Sequence, residues 1–135
     1  MPIITTALDK FCLSIRDYEG APGDANYLNN NPGDCRYNSD GYLVKYEPVT
    51  ESHAGFAVFP SYDIGWMYLE NMISQRIENH PNWTILDFFQ GVLVNGEYAG
   101  GYAPSADKNN PFAYAVFVAK RVGVDVNTLI KTILV

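Results

Sequence analysis

An apolar stripe that ends in an acid constrains this chain more than any other stretch. Leu8, Phe11, Cys12, Ile15, Tyr18 and Glu19 recur at the steps that line one face of an amphipathic helix. Thr6-Ala7-Leu8-Asp9 supplies a capping-box start, in which a hydroxyl and an acid satisfy free backbone N–H groups. Gly20 is a natural stop, and Pro22-Gly23 prevents continuation. Glu19 then falls in the last turn, in line with Cys12 and Ile15 and away from Lys10, Ser14 and Asp17, which the same spacing points at solvent. Partial burial and the negative end of the helix dipole both disfavour its charged form, so both raise its pKa. A carboxyl that keeps its proton near neutral pH can act as a general acid.

Residues 20–41 read as a loop rich in glycine, proline and asparagine. The run Asn29-Asn30-Asn31-Pro32-Gly33-Asp34 carries amide groups that both donate and accept, which suits the acetamido and hydroxyl groups of an amino sugar. The same residues are also what an ordinary turn requires. Tyr42-Leu43-Val44-Lys45-Tyr46 and Gly55-Phe56-Ala57-Val58-Phe59 read as two short strands joined by a polar loop that carries Glu47, Glu51 and His53. Both glutamates read as solvated charges.

Ser61 caps a long helix over 62–79, ended by His80-Pro81, with Ile64, Trp66, Leu69, Met72, Ile73, Arg76 and Ile77 on its apolar side. Thr84-Ile85-Leu86-Asp87 opens a shorter helix over 85–92. A second glycine-rich loop over 95–109 follows, carrying Tyr98 and Tyr102. Asn110-Pro111 starts another helix that Gly123 stops. A last short helix over 126–134 ends in Ile130, Ile133, Leu134 and Val135. That terminus is apolar enough either to dock on the core or to meet a larger assembly.

The order and spacing of these motifs resemble a known family. Glu-Gly closing the first helix, Asn-Asn-Asn-Pro-Gly followed by Arg36-Tyr37, and the run from Gly55 to Trp66 are similar to the lysozyme-like muramidase or lytic transglycosylase domains of bacteriophages and prophages. Tyr102-Ala103-Pro104, Asn109-Asn110-Pro111, Tyr114 and the run from Phe117 to Val124 fit the same pattern. The resemblance implies an α+β, mainly α, lysozyme-like fold with a small β-hairpin beside a helical core, as a single domain over 1–135. It implies a glycosidase that cleaves the MurNAc–GlcNAc β-1,4 bond of peptidoglycan, with Glu19 as its single catalytic acid and base. Substrate contacts fall to Asn29, Asn30, Asn31, Asp34, Arg36, Tyr37, Tyr102 and Asn110. The family more often carries Asn at the position of Asp34, and Leu or Ile at that of Cys35. The partner it implies is a peptidoglycan or chitooligosaccharide glycan, with other virion or tail proteins as companions. The alternative from another class is a catalytically inactive virion or tail module that keeps the fold and binds glycan.

Composition limits the remaining choices. At 135 residues and 47% hydrophobic content the chain can bury a core without disulfides. A net charge of −6 with no basic cluster argues against nucleic acid. Cys12 and Cys35 are placed compatibly with a bond, but buried free thiols are the preferred reading. With only His53 and His80 as distant nitrogens no metal site follows, and no cofactor is expected. The sequence has no stretch approaching the roughly 20 apolar residues of a membrane span, and its start lacks the features of a signal peptide. The expected location is therefore the virion, or the host cytoplasm followed by release to the wall. Other nucleophilic schemes lack their motifs: Ser14 and Ser61 stand in no nucleophile elbow, and no phosphate-binding loop exists.

Overall fold

A computed structural model describes residues 6–37, 43–103 and 109–134. Expectations that concern Met1 to Ile4, Gly41, Tyr42, Pro104 and Val135 lie outside the described residues. The chain is a mixed α and β protein, about half helical, with two small antiparallel hairpins.

The first helix, α1 (Ala7–Glu19), starts on the capping box that its sequence encodes. Thr6 accepts from the Asp9 N–H at 3.0 Å, and the Asp9 carboxylate accepts from the Thr6 N–H at 3.3 Å. Phe11, Cys12 and Ile15 are fully buried. Ser14 is not the solvent-facing residue its spacing suggested. It is buried because its hydroxyl donates to the Lys10 carbonyl at 2.7 Å, which satisfies the polar group without water.

The loop after α1 has order of its own, beginning with a single-turn helix, α2 (Ala25–Leu28). Two buried asparagines tie the loop together. Asn26 donates to the carbonyls of Arg16 and Pro32, and Asn31 donates to those of Cys35 and Ala57 while accepting from the Cys35 N–H. The apolar stretch expected as a first strand forms a 3₁₀ turn, Leu43–Tyr46, instead. A short apolar run carries no periodicity that separates helix from strand, and here Tyr46 packs edge-on to Phe59 and Tyr68. The hairpin survives, shifted along the chain: β1 (Thr50–Glu51) pairs with β2 (Ala57–Val58).

The long helix α3 (Tyr62–Asn79) has the expected bounds, with Ser61 accepting from the Ile64 N–H. It buries Trp66, Leu69, Ile73 and Ile77 at helical spacing. The asparagine loop crosses it at Gly65, where a Cβ would lie 1.8 Å from the Asn30 carbonyl oxygen. Only a residue without a side chain lets loop and helix approach so closely.

The fourth helix, α4 (Ile85–Gln90), repeats the capping box through Thr84 and Asp87 but ends earlier than expected. Gly91, at φ 85°, turns the chain out of the helix and into a second hairpin, β3 (Gly91–Val94) with β4 (Glu97–Gly100). This hairpin occupies the start of the region expected to be loop. Its signal was present in the sequence, since Asn95 and Gly96 both take positive φ, the requirement of the tight hairpin turn. The last long helix, α5 (Pro111–Val122), is capped by Asn110, and Gly123 closes it in the left-handed region.

The expected C-terminal helix is reduced to a 3₁₀ turn, Ile130–Leu134. It docks on the core with Ile130 and Ile133 buried, held by backbone bonds from Ile85 to Thr128 and from Ile130 to Trp83. Those cross-chain bonds fix extended backbone at 128–130 and leave too few residues for a regular helix. Helices α1, α3, α4 and α5 surround one apolar core, and a smaller one gathers Tyr46, Val49, Ala57, Phe59 and Tyr68 under the first hairpin. Cys35 and Met72 pack against both.

Candidate active site

A cavity of about 350 Å³ opens where the two cores meet. Its wall combines Glu19 at the end of α1, Gly33 to Arg36 of the loop and Phe56 before β2. Tyr68, Met72 and Arg76 of α3 complete it together with Tyr102, Ala103 and Asn109. The volume lies at the lower end of the roughly 300–1,000 Å³ range of small-molecule sites.

Glu19 reaches the cavity because Gly20 ends α1 there and its backbone N–H bonds back to Arg16. The phenol of Tyr114, itself 1% exposed, donates to the Glu19 Oε2 at 2.5 Å. Burial is the main reason that the Glu19 carboxyl is pushed up to about 7, the Tyr114 bond opposes the shift, and the charge of Asp34 adds to it. The upward direction and the role of burial are those expected for an inward acid at a helix end, whereas the helix dipole is not among the causes of the shift. The sequence pattern gives no sign of the contribution from Asp34.

Asp34 is therefore more than a polar neighbour. It shares the cavity with Glu19, and burial raises its pKa while the Arg36 guanidinium draws it back. Its backbone sits in the left-handed region at φ 50°, and its N–H bonds to the Asn31 carbonyl at 2.9 Å. One carboxylate oxygen, Oδ1, is buried with no hydrogen-bond partner. Strained backbone and an unsatisfied buried oxygen concentrate at functional positions, because packing alone gives no reason to keep either.

Of the residues singled out from sequence, Glu19, Asp34, Arg36 and Tyr102 line the cavity. The rest do not. Asn31 is 1% exposed, and its amide is spent on three bonds within the loop and hairpin. Asn30 donates to the Phe59 carbonyl at 3.1 Å, and the Asn29 carbonyl accepts from the Phe59 N–H at 2.9 Å. Tyr37 packs on the smaller core, and Asn110 is the exposed cap of α5. These amides serve the fold because a buried turn must pair its own backbone groups before it can offer any to a ligand.

Tyr102 divides its chemistry. Its hydroxyl donates to the Gly33 carbonyl at 3.1 Å, and its ring stacks on Phe88 at 5.7 Å. The bond to the acid is made by Tyr114. Little in the helical pattern points to this bond, since Tyr114 shares its helical face with Val118 and reads as plain core. Arg76 was more legible, as a charged residue on the apolar side of α3. Its guanidinium lies 5.6 Å from the centre of the Tyr102 ring.

Neither thiol is a candidate nucleophile. Cys12 and Cys35 are both free; burial raises Cys12 well above the ordinary range, and it pushes Cys35 up to about 12. Among the described residues no group of three His, Cys, Asp or Glu side chains could hold a metal ion, and no helix is long and apolar enough to cross a membrane. Comparison with protein-family models, with curated proteins and with solved structures gives no match to this chain.

Proposed function

We propose that this chain is a lysozyme-like glycosidase that cleaves the β-1,4 bond between MurNAc and GlcNAc in peptidoglycan, with Glu19 as the proton donor. One observation carries the reading: a carboxyl whose pKa is raised to about 7 faces a cavity large enough for sugar, so that near neutral pH much of it holds a proton. Glu19 donates that proton to the glycosidic oxygen as the bond from C1 to that oxygen breaks. Tyr114 then donates to the carboxylate that remains and stabilises it.

Two routes lead on from there. The substrate's N-acetyl oxygen can close on C1, after which Glu19, now a base, draws a proton from water or from the muramic O6; the second choice gives an anhydro product. Alternatively Asp34 removes a proton from water as that water attacks C1, which gives a reducing end. A second carboxylate in the cavity favours water as the acceptor, because hydrolysis by acid and base requires two such groups flanking the bond. Among the described residues no hydrogen bond links Asp34 to Glu19.

The test is incubation of the purified chain with peptidoglycan, followed by mass spectrometry of the soluble muropeptides. Reducing products from the native chain, and none from Glu19→Gln, support hydrolysis. Anhydro ends would move the chain to lytic transglycosylation. Binding without release by the native chain would leave a glycan-binding module.

A further inference from the structure

The cavity sets two cations, Arg76 and Arg36, beside its two carboxylates. Arg76 projects from α3 over the face of Tyr102, and Arg36 lies 5.1 Å from the centre of the Phe56 ring. Arg16 and Arg121 each pair with Asp17, whereas neither cavity arginine closes an ion pair among the described residues. Each lies against an aromatic ring in the wall that also carries Glu19 and Asp34. A guanidinium stacked on a ring keeps its N–H edge free, and that planar fork matches a carboxylate.

We propose that Arg76 and Arg36 read a carboxylate on the substrate, so that the cavity selects acidic amino-sugar chains over neutral ones such as chitooligosaccharide. The inference rests on the glycosidase reading and names the substrate feature that this site recognises. The carboxylate has two chemical sources in a wall polymer: the lactyl group of a peptide-free muramic residue, or the free carboxylates of an attached peptide. Were the arginines present only to balance Glu19 and Asp34, their loss would shift the pH profile and leave substrate preference alone.

Calorimetric titration of the Glu19→Gln chain measures recognition without turnover. Its probes are two matched pairs: a peptide-free GlcNAc–MurNAc oligosaccharide with and without its carboxyls reduced to alcohols, and a peptide-bearing one with and without its peptide carboxyls amidated. The acidic member of at least one pair should bind about 10- to 100-fold more tightly, the range for hydrogen bonds to a charged group. Whichever pair shows the gain identifies the source. Adding Arg76→Gln should bring the two affinities of that pair together, and Arg76→Lys, which keeps charge but not fork, should restore part of the gap. Equal affinity within both pairs, or an Arg76→Gln change that weakens acidic and neutral members alike, would overturn the proposal. A native chain that releases no muropeptide but binds the acidic probes selectively would overturn the glycosidase reading and leave this one standing.

Discussion

The phenol of Tyr114 donates to Glu19 across 2.5 Å, linking residues 95 positions apart in sequence. It binds the ionised carboxylate more strongly than the protonated form, and so it holds the Glu19 pKa below the value that burial alone would give. Tyr114→Phe should raise that pKa further and move the alkaline limb of the pH–rate profile to higher pH. The substitution should also cost about 1–3 kcal/mol of stability, more at pH 8 than at pH 5, because the lost bond is strongest to the charged acid. Chemical denaturation at the two pH values checks it.

Asp34→Asn should act in the opposite direction. The Asp34 charge raises the Glu19 pKa, so its removal should lower that pKa and bring the alkaline limb down. If Asp34 also activates water, turnover should fall about 10²–10⁴-fold. A shifted limb with unchanged turnover would show that Asp34 acts only as a neighbouring charge.

Glu19→Gln should abolish cleavage and stabilise the fold at alkaline pH. The folded pKa of Glu19 is raised to about 7 from an ordinary value of 4.5. Below the unfolded value both states hold the proton and no penalty exists. As pH rises toward 7 the unfolded state ionises first, so folding loses stability, by at most about 3 kcal/mol once the folded carboxyl has ionised as well. The difference in melting temperature between Glu19→Gln and the native chain should therefore be small at pH 4, grow between pH 5 and 7, and level off above. A flat difference across that range would contradict a buried, high-pKa acid.

Gly65→Ala places a methyl group 1.8 Å from a backbone oxygen of the asparagine loop, a contact that no rotamer change can relieve. The loop must move off α3, at a cost of about 3 kcal/mol or more. Urea denaturation measures the loss. Any folded variant should also bind glycan more weakly, since the loop carries Asp34 and Arg36.

Asn31→Ala removes an amide that makes three buried bonds. It takes a donor from the Ala57 carbonyl and the acceptor from the Cys35 N–H, while the Cys35 carbonyl keeps only its bond from the Ala57 N–H, which should cost about 2–4 kcal/mol. If Asn31 instead contacted substrate, its loss would raise KM and leave stability in place. Denaturation and KM measured on one preparation separate the two roles.

Local sequence encodes helices α1, α3, α4 and α5 and where they begin. Thr6 with Asp9, Ser61, Thr84 with Asp87, and Asn110 with Pro111 are local signals, complete within one turn of backbone, and each heads a helix. It also placed Glu19 at a helix end on the inward face, because helical periodicity is a property of the chain alone. Tertiary structure decided what became of the polar residues between helices. The asparagines near 30 turned inward because α3 and the first hairpin cover them, and a covered amide must bond to the backbone around it. Tyr114 and Asp34 come to Glu19 from separate segments. Their meeting depends on how α1, α3 and α5 pack, and no spacing along the chain encodes the distance between helices. The acid was legible in one dimension; the groups that set its proton affinity were assembled in three.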